Sequence, residues 1–484
     1  MELAFVFITP LFASILGLLF PKITRYLFSP LLLLHLIITF LIFQKVLSSG
    51  PLAVSVGNWA IPYGIILIAD PLAAILLMFS SLIFFCCTLN RPIYEQKGLP
   101  SLIFLLQAGV TLSFITGDLF NLFVAFELML TASYGIFVTV IERGHREGIF
   151  SYLSINIIAS LFFLIAISVF YGSMGSLNFA TLSLQTIQTS PLMLLPFLAL
   201  ALVLAIKSGL FPLYFWLPDS YPQLPGYLGG LFAGTLSKVG VYVFLRIYFT
   251  VFHGALPGIE LGIIFIACIT MFLGVVGAVS KGTFKGILSY HILSQIGYVF
   301  FAFAIGTPFA IAAALYFLIH NMIVKSSLFL VGDVAQEKCG TDKLSTMGSL
   351  WSGAPFLGLL FLLQAFSLAG IPPLSGFWGK YLIFYAGIEK EHYAPVLVAL
   401  IVSFLTLISM LKIWNGAFLE QAENPPKKCS SAGYYGAVLL CLVSLCMGLG
   451  VKNIFEFSYS AAESLLEGKQ YISAALNSGT KGVL

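Results

Sequence analysis

Charged side chains are scarce in this sequence. Asp, Glu, Lys and Arg make up 9% of its 484 residues, whereas 60% are hydrophobic. A soluble domain carries about 25% charged residues, so a soluble globular protein is excluded. Apolar runs of 18 residues or more, long enough to cross a bilayer as helices, recur along the whole chain. The composition therefore predicts an all-α polytopic membrane protein.

Motifs for metals, cofactors and catalysis are also lacking. The seven cysteines show no C-x-x-C pair and no metal-ligand spacing, so we interpret them as small packing residues. No G-x-G-x-x-G or P-loop motif is present, and no Ser/His/Asp grouping suggests hydrolysis. Of the six histidines, two or three lie at membrane depth, too few for haem ligation. We expect a transporter subunit, not an enzyme, with no cofactor and no metal site.

About fourteen membrane spans are predicted. They centre near residues 2–20, 28–46, 70–89, 100–117, 119–140, 150–171, 192–217, 225–248, 258–279, 284–305, 307–331, 354–387, 394–418 and 432–450. The longest connections are 47–69, 172–191 and 332–353, which leaves no room for a soluble domain. An acid follows the first Met where a signal peptide needs basic residues, so the first helix is expected to be retained. The tail 451–484 could include a short amphipathic helix.

Basic residues predict the orientation, because they concentrate in the connections after odd-numbered spans. These residues are Lys22, Arg25, Arg91, Lys97, Arg143, Arg146, Lys281, Lys285, Lys338, Lys343, Lys427 and Lys428. The positive-inside rule places these connections in the cytoplasm and both termini on the outer side of the membrane.

Two apolar spans are interrupted in the same way. One is broken at "KSGLFPLYFWLPDSYP" and the other at "FSLAGIPPLSGFWGKYLIF", and they carry Lys207 and Lys380. Each is the fourth of five spans, so the pattern predicts two inverted five-helix repeats with discontinuous seventh and twelfth helices. Broken helices at matching positions indicate a transport site, and their freed backbone groups can hydrate an ammonium. The alternative is that Pro and Gly simply kink these helices.

The repeats divide the chain into four predicted parts. These are spans 1–3 (1–98), the first repeat with spans 4–8 (99–250), the second repeat with spans 9–13 (257–420), and span 14 with the tail (430–484).

Several ionisable residues lie far from any predicted span end. Glu127, Lys207 and Lys238 are near mid-membrane, where a charge costs roughly 2.5–3.5 kcal/mol. Their side chains cannot reach water, so a functional role is favoured over structural pairing alone. Snorkelling to the interface is the expected explanation for four residues near span ends. These are Arg246, Lys281, Lys285 and Lys412.

An acid and several buried lysines are suited to moving protons. Desolvation favours the neutral form of a lysine, whereas a nearby carboxylate favours the charged form. Such groups can exchange protons, and each charge movement affects the next site by Coulomb coupling. We predict a relay through Glu127, Lys207, Lys238 and Lys380, with secondary members His320, Lys325 and His291. A satisfied buried histidine remains an alternative for His291 and His320.

Five stretches resemble the proton-conducting antiporter subunits, the family that joins the L-, M- and N-type subunits of complex I with Mrp-type Na+/H+ antiporters. They are "GDLFNLFVAFELML", "KSGLFPLYFWLPDSYP", "SKVGVYVFLR", "FKGILSYHILSQIGYV" and "LAGIPPLSGFWGKYLI". With "SMGSLNFATLS", the first looks most like the D-type component of an Mrp antiporter. One departure is "PQLPGYLGGLFAG" (222–234), whose extra glycines either widen the region beside Lys238 or change its packing.

The resemblance implies a function and a set of roles. The fifth-helix glutamate of the family falls on Glu127 and its seventh-helix lysine on Lys207. Its eighth-helix lysine falls on Lys238 and its twelfth-helix ionisable residue on Lys380. It implies proton translocation against Na+ in the cell (inner) membrane, within a hetero-oligomer of membrane subunits. The alternative is a proton-pumping subunit of a complex I-like NADH:quinone oxidoreductase or a membrane-bound hydrogenase, and a solitary transporter is a third possibility.

Overall fold

A computed structural model provides the structure of the chain. The described residues are 2–59, 61–89, 91, 93–141, 147–186, 194–254, 258–421 and 433–480. Some of the predicted cytoplasmic basic residues and one cysteine lie outside them, namely Arg143, Arg146, Lys427, Lys428 and Cys429.

Helices dominate the described chain. Those of the first half are α1 (Glu2–Leu19), α2 (Pro21–Ser49), α3 (Pro71–Thr88), α4 (Leu99–Ile115), α5 (Leu119–Val140), α6 (Glu147–Met174), α7 (Phe179–Thr186), α8 (Leu194–Ser208), α9 (Trp216–Ser220) and α10 (Gly226–Leu245). Those of the second half are α11 (Ile259–Ser280), α12 (Phe284–Ile305), α13 (Pro308–Cys339), α14 (Leu350–Gly353), α15 (Pro355–Ala369), α16 (Ser375–Glu389), α17 (Tyr393–Ile413), α18 (Tyr434–Leu449), α19 (Val451–Glu467) and α20 (Lys469–Thr480).

The predicted all-α membrane fold is confirmed. Among the described residues, ten helices are long and apolar enough to cross a membrane, and α18 with α19 forms a pair bent by 85° that also passes as one broken span. The shorter apolar helices include α4, most of α8 and α15. If each of these crosses the bilayer, the total is the predicted fourteen, and that total stays a prediction.

Two predicted connections contain regular structure. Residues 47–69 include an antiparallel hairpin of β1 (Leu52–Ser55) and β2 (Ile66–Ala69), and all of β2 is buried. The connection predicted at 332–353 is shorter than expected, because α13 continues to Cys339. Asp333 explains the extension, since it forms an ion pair with Arg91 at 2.7 Å and so anchors the last turns of the helix.

Backbone hydrogen bonds recur at matching positions in the two predicted repeats. Leu119 N donates to Leu177 O at 2.9 Å, and Phe284 N donates to Asp342 O at 3.0 Å. The same number of positions separates the two donors as separates the two acceptors. In each half this bond ties the start of the second helix to the connection after the third, which supports the predicted repeat.

The two stretches that suggested a D-type Mrp component lie against each other. Asp118 caps α5 by accepting from Phe120 N at 2.8 Å, and Asn178 caps α7 by accepting from Ala180 N at 3.0 Å. An antiparallel bridge joins Asp118 to Asn178. Capping satisfies amides that the first turn of a helix leaves free, so both polar residues have a local structural role.

Snorkelling is the wrong explanation for two of the four residues assigned to it. Arg246 is 1% exposed and forms an ion pair with Asp70 at 2.6 Å, and the Tyr471 ring centroid lies 4.5 Å from its guanidinium. Lys285 is 4% exposed and donates to Leu224 O at 2.8 Å. Arg246 is therefore neutralised, and Lys285 is solvated by a carbonyl, inside the protein. Both partners are distant in sequence, so the side chains have no need to extend to the membrane surface.

The extra glycines of α10 bring helices together instead of widening the space beside Lys238. A Cβ at Gly226 would lie 2.6 Å from Phe329 O of α13, and one at Gly230 would lie 3.0 Å from Ser326 O. Ser326 Oγ also donates to Gly230 O at 2.9 Å. Small residues allow such backbone approach in membrane helices.

Candidate functional site: buried lysines beside two broken helices

The first break follows α8 immediately after Lys207 and Ser208. It leaves backbone groups without helical partners, and side chains satisfy several of them. Trp216 Nε1 donates to Ile206 O at 3.1 Å, and Phe211 N donates to Thr270 Oγ1 at 3.1 Å. Side chains of α9 and α11 thus satisfy backbone groups of the break, as expected for irregular backbone at membrane depth.

The second break repeats the closure of the first. Gly209 has φ +81 and donates to Ala205 O at 3.0 Å, and Gly370 has φ +93 and donates to Phe366 O at 3.0 Å. In each case the next amide donates to the same carbonyl, at 2.9 and 3.0 Å. A positive φ favours glycine, so both halves end the helix with the same αL cap.

Lys207 and Glu127 are held by neighbouring residues of α6, not by each other. Lys207 is 5% exposed, and its Nζ donates to Asn156 Oδ1 at 3.0 Å. The half-buried Glu127 accepts a hydrogen bond from Ser160 Oγ. The carboxylate acts electrostatically on Lys207, but the two groups form no direct ion pair within 4.0 Å.

Lys238 lies on α10, which is buried along its whole length. It is 1% exposed, and its Nζ donates to Ala233 O at 2.6 Å and to Ser237 Oγ at 3.2 Å. Both acceptors belong to its own helix and both are neutral. The ammonium is therefore partly solvated by α10 itself.

Lys325 occupies the centre of α13, a helix in contact with α10, α12, α15 and α16. Its side chain is fully buried, and its Nζ donates to Leu288 O of α12 at 3.4 Å. Lys238 and Lys380 both act electrostatically on Lys325. The structure thus places Lys325 within electrostatic range of two other predicted relay lysines, each on a different helix.

The two predicted histidines are buried and each bonds to a serine. His291 Nε2 lies 2.5 Å from Ser409 Oγ, and His320 Nδ1 lies 2.9 Å from Ser375 Oγ. The second ring nitrogen of each histidine has no hydrogen-bond partner among the described residues. Both rings are within electrostatic range of Lys325 and Lys380.

Lys380 follows the second break and folds back onto it. Its Nζ donates to Ala369 O, the last residue of α15, at 3.0 Å, and to Ser403 Oγ of α17 at 3.0 Å. The ring centroid of Tyr298 lies 5.4 Å away. The end of a helix carries partial negative charge, so the α15 terminus stabilises the ammonium. This matches the prediction that the break would supply polar backbone to a lysine.

A common feature unites Lys207, Lys238, Lys325 and Lys380. Each is buried, each has neutral oxygen acceptors, and within the described ranges none forms an ion pair with a carboxylate. Burying an ammonium without a counter-charge is costly, so its neutral form becomes accessible. Such groups can accept and release protons, and their mutual repulsion makes each sensitive to the charge of the next.

Sequence reasoning missed Asn156, Ser160 and Ser403. The first two lie one helical turn apart in the apolar stretch "SINIIAS", so they share a face of α6. A polar pair at that spacing is a usable signal, but it does not reveal the partner helices. For metal binding, the part of the chain that the structure describes contains no group of three or more His, Cys, Asp or Glu side chains that could hold an ion.

Two broken spans with ionisable groups buried beside them define a membrane protein of the ion-transporter class. The family model described as NADH:quinone oxidoreductase/Mrp antiporter, TM, matches residues 116–408. The chain belongs to this family of membrane subunits, as the sequence resemblance predicted.

Individual relatives share nearly the full length. The D-type Na+/H+ antiporter component of Alkalihalophilus pseudofirmus is 38% identical over 455 residues, which cover 91% of this chain and 92% of that protein. A chain of the Mrp complex from Dietzia sp. DQ12-45-1b has a TM-score of 0.93 at 29% identity and covers 98% of this chain and 99% of its own. A chain of respiratory complex I from Thermus thermophilus shares the fold, with a TM-score of 0.86 at 22% identity. The match covers 97% of this chain and 99% of that one.

Proposed function

We propose that this chain is the proton-translocating membrane subunit of a multisubunit Na+/H+ antiporter. The observation that carries the proposal is the set of buried lysines that form no ion pair with a carboxylate within the described ranges, together with the position of Lys325 in electrostatic range of Lys238 and Lys380. The 38% identity to a D-type Na+/H+ antiporter component supports the choice of antiport over other ion transport. The chain acts in the cell membrane as a multi-pass subunit with both termini outside, together with other antiporter subunits.

Within this proposal the residues have successive roles. Glu127 sets the charge state of Lys207 in the first repeat (99–250). Lys238 passes protons on to Lys325, with His291 and His320 nearby. Lys380 is the last member, beside the break of the second repeat (257–420). Coulomb coupling between buried groups transmits each protonation change to the next site.

The test is Glu127→Ala in the assembled complex, measured as Na+-dependent proton flux in everted membrane vesicles. An imposed pH gradient drives the assay, with no electron donor present. We expect flux to fall to the level of vesicles without the complex, because Lys207 loses the acid that controls its protonation. The matched control is Glu456→Ala, an acid that lies exposed on α19. Near-normal flux in an assembled Glu127→Ala complex would contradict the role of Glu127.

A second candidate function is supported by the complex I fold match. In that case redox chemistry in a partner drives the chain, which then pumps protons. The same vesicles separate the two functions. Wild-type complex that exchanges Na+ for H+ without an electron donor supports the antiporter, whereas proton movement that requires an electron donor supports the redox-driven pump.

A further inference from the structure

One face of α6 contacts both Glu127 and Lys207. Asn156 is 1% exposed and accepts from Lys207 Nζ at 3.0 Å, while Ser160, one turn later, donates to Glu127. Each of the two groups is thus held by a polar side chain of a third helix. In a largely apolar helix, an amide oxygen therefore accepts from the lysine and a hydroxyl donates to the acid.

The orientation of the Asn156 amide is fixed by a second bond. Its Nδ2 donates to Tyr152 O, four residues earlier, at 2.8 Å. An amide has one donor end and one acceptor end, so this bond directs Oδ1 towards Lys207. The acceptor is therefore held in place before the lysine arrives.

We propose that Asn156 is a positioning residue that competes with Glu127 for the Lys207 ammonium, so that the lysine alternates between an amide-bound and a carboxylate-bound position. The proposal rests on the proposed function and deepens it. Breaking a buried ion pair normally leaves an uncompensated charge, which is strongly unfavourable. An amide oxygen within reach supplies a hydrogen bond at that moment, so the pair can open and close during each cycle.

The charged surroundings of Lys207 are compatible with such competition. Glu127 acts on it electrostatically from α5, which also carries Tyr134. The other titratable groups on α6 and α10, the two helices packed against α8, are Glu147, Tyr152, Tyr171, Tyr227, Lys238 and Tyr242, and Arg246 follows directly after α10. Arg246 is already neutralised by Asp70, and Glu127 is the carboxylate that acts electrostatically on the lysine.

The second half of the molecule offers a matched control. Asn321 on α13 also donates its Nδ2 to the carbonyl four residues earlier, Phe317 O, at 2.8 Å. It is 2% exposed, and its Oδ1 has no hydrogen-bond partner among the described residues. Asn321 thus reproduces the local structural role of Asn156 without the lysine contact.

The experiment compares Asn156→Leu with Asn321→Leu in the assembled complex, using Na+-dependent proton flux measured across a pH series. Co-purification of the other subunits verifies assembly. We expect Asn156→Leu to reduce flux by about tenfold, the size of one lost hydrogen bond to a charged group. The alkaline limb of its pH profile should move to higher pH, because a carboxylate-bound amine retains its proton longer than an amide-bound one. Asn321→Leu should leave the pH profile in place.

If the leucine variant does not fold, a second set of variants moves the carboxylate from α5 to α6. Asn156→Asp gives Lys207 a second carboxylate beside it and should suppress flux. The double variant Glu127→Gln with Asn156→Asp moves the acid onto α6. It should restore part of the flux that Glu127→Gln alone loses. Equal pH profiles for Asn156→Leu and Asn321→Leu, or no gain in the double variant, would overturn the proposal. Absence of Na+-dependent flux in the wild-type complex would instead contradict the proposed function.

Discussion

The two broken helices close with the same backbone hydrogen bonds but hold their lysines differently. In the first half Lys207 precedes the break and rests on a side chain, the amide of Asn156. In the second half Lys380 follows the break and donates to the backbone carbonyl of Ala369 that the break frees, with Ser403 Oγ as a second acceptor. A side-chain acceptor can be removed by mutation or compete with an acid, whereas a backbone acceptor is permanent. The first site is therefore built to change state, and the second to keep its lysine solvated.

The largest expected effect comes from removing the lysines themselves. Lys207→Ala and Lys380→Ala should both reduce Na+-dependent proton flux to the background of vesicles without the complex, because each break loses its titrating group. Lys380→Glu should also fail, since Ala369 O cannot donate a hydrogen bond to a carboxylate. Substantial flux in Lys380→Glu would show that any titrating group suffices there and would remove the distinction between the two sites.

The buried ion pair between Asp70, which precedes α3, and Arg246, which follows α10, should contribute strongly to stability without affecting the difference between the breaks. Asp70→Ala leaves Arg246 buried and unpaired, which costs about 3–5 kcal/mol. The purified complex should unfold at a clearly lower temperature. The control is Glu2→Ala, whose ion pair with Lys45 at 2.7 Å is exposed and should not change the unfolding temperature measurably. An unchanged unfolding temperature for Asp70→Ala would be inconsistent with this burial.

Substitution of the two cap glycines should affect the two breaks differently. Gly209→Ala and Gly370→Ala both place a Cβ at positive φ, at a cost of about 1–2 kcal/mol. The Cβ at 370 would also lie 3.0 Å from Lys380 Cδ, whereas the Cβ at 209 would meet Leu293 and Leu217. We expect similar stability losses but a larger loss of flux for Gly370→Ala. Equal flux in the two variants would argue against the close contact between cap and lysine in the second half.

A smaller effect is expected outside the membrane. Burial raises the pKa of Asp342 to about 6, although the nearby Lys285 charge opposes the rise. Because the folded state binds this proton more tightly than the unfolded chain, the contribution of Asp342 to stability is largest below about pH 4 and is lost as pH rises to about 6. Asp342→Asn should remove this pH dependence from thermal unfolding curves. A pH dependence unchanged by the substitution would mean that Asp342 ionises normally.

Local signals made the breaks and their lysines predictable from sequence. Gly209 and Gly370 act through their own backbone, and the apolar runs around Lys207 and Lys380 have few polar interruptions, so neighbouring residues suffice to locate both features. The recurring apolar runs also suffice to predict a helical membrane protein. The predicted relay lysines and histidines are buried and Glu127 is half-buried, and the roles of all of them stay predictions.

Features that depend on distant partners were not predictable in the same way. Asn156 meets Lys207 across 51 positions, and Arg246 meets Asp70 across 176. The continuation of α13 depends on Arg91, from a different part of the chain. Periodicity and propensity describe one segment at a time, so they did not reveal that α6 supplies hydrogen-bond partners to both Glu127 and Lys207.

If protons pass through lysines that release and rebind them, a lysine that cannot lose its charge should block transport, and Lys238→Arg creates that condition. Arginine keeps the positive charge but does not deprotonate in proteins. Na+-dependent proton flux should be lost in the assembled Lys238→Arg complex across the whole pH range. Wild-type flux in that variant would contradict proton exchange at Lys238 and leave it a purely electrostatic role.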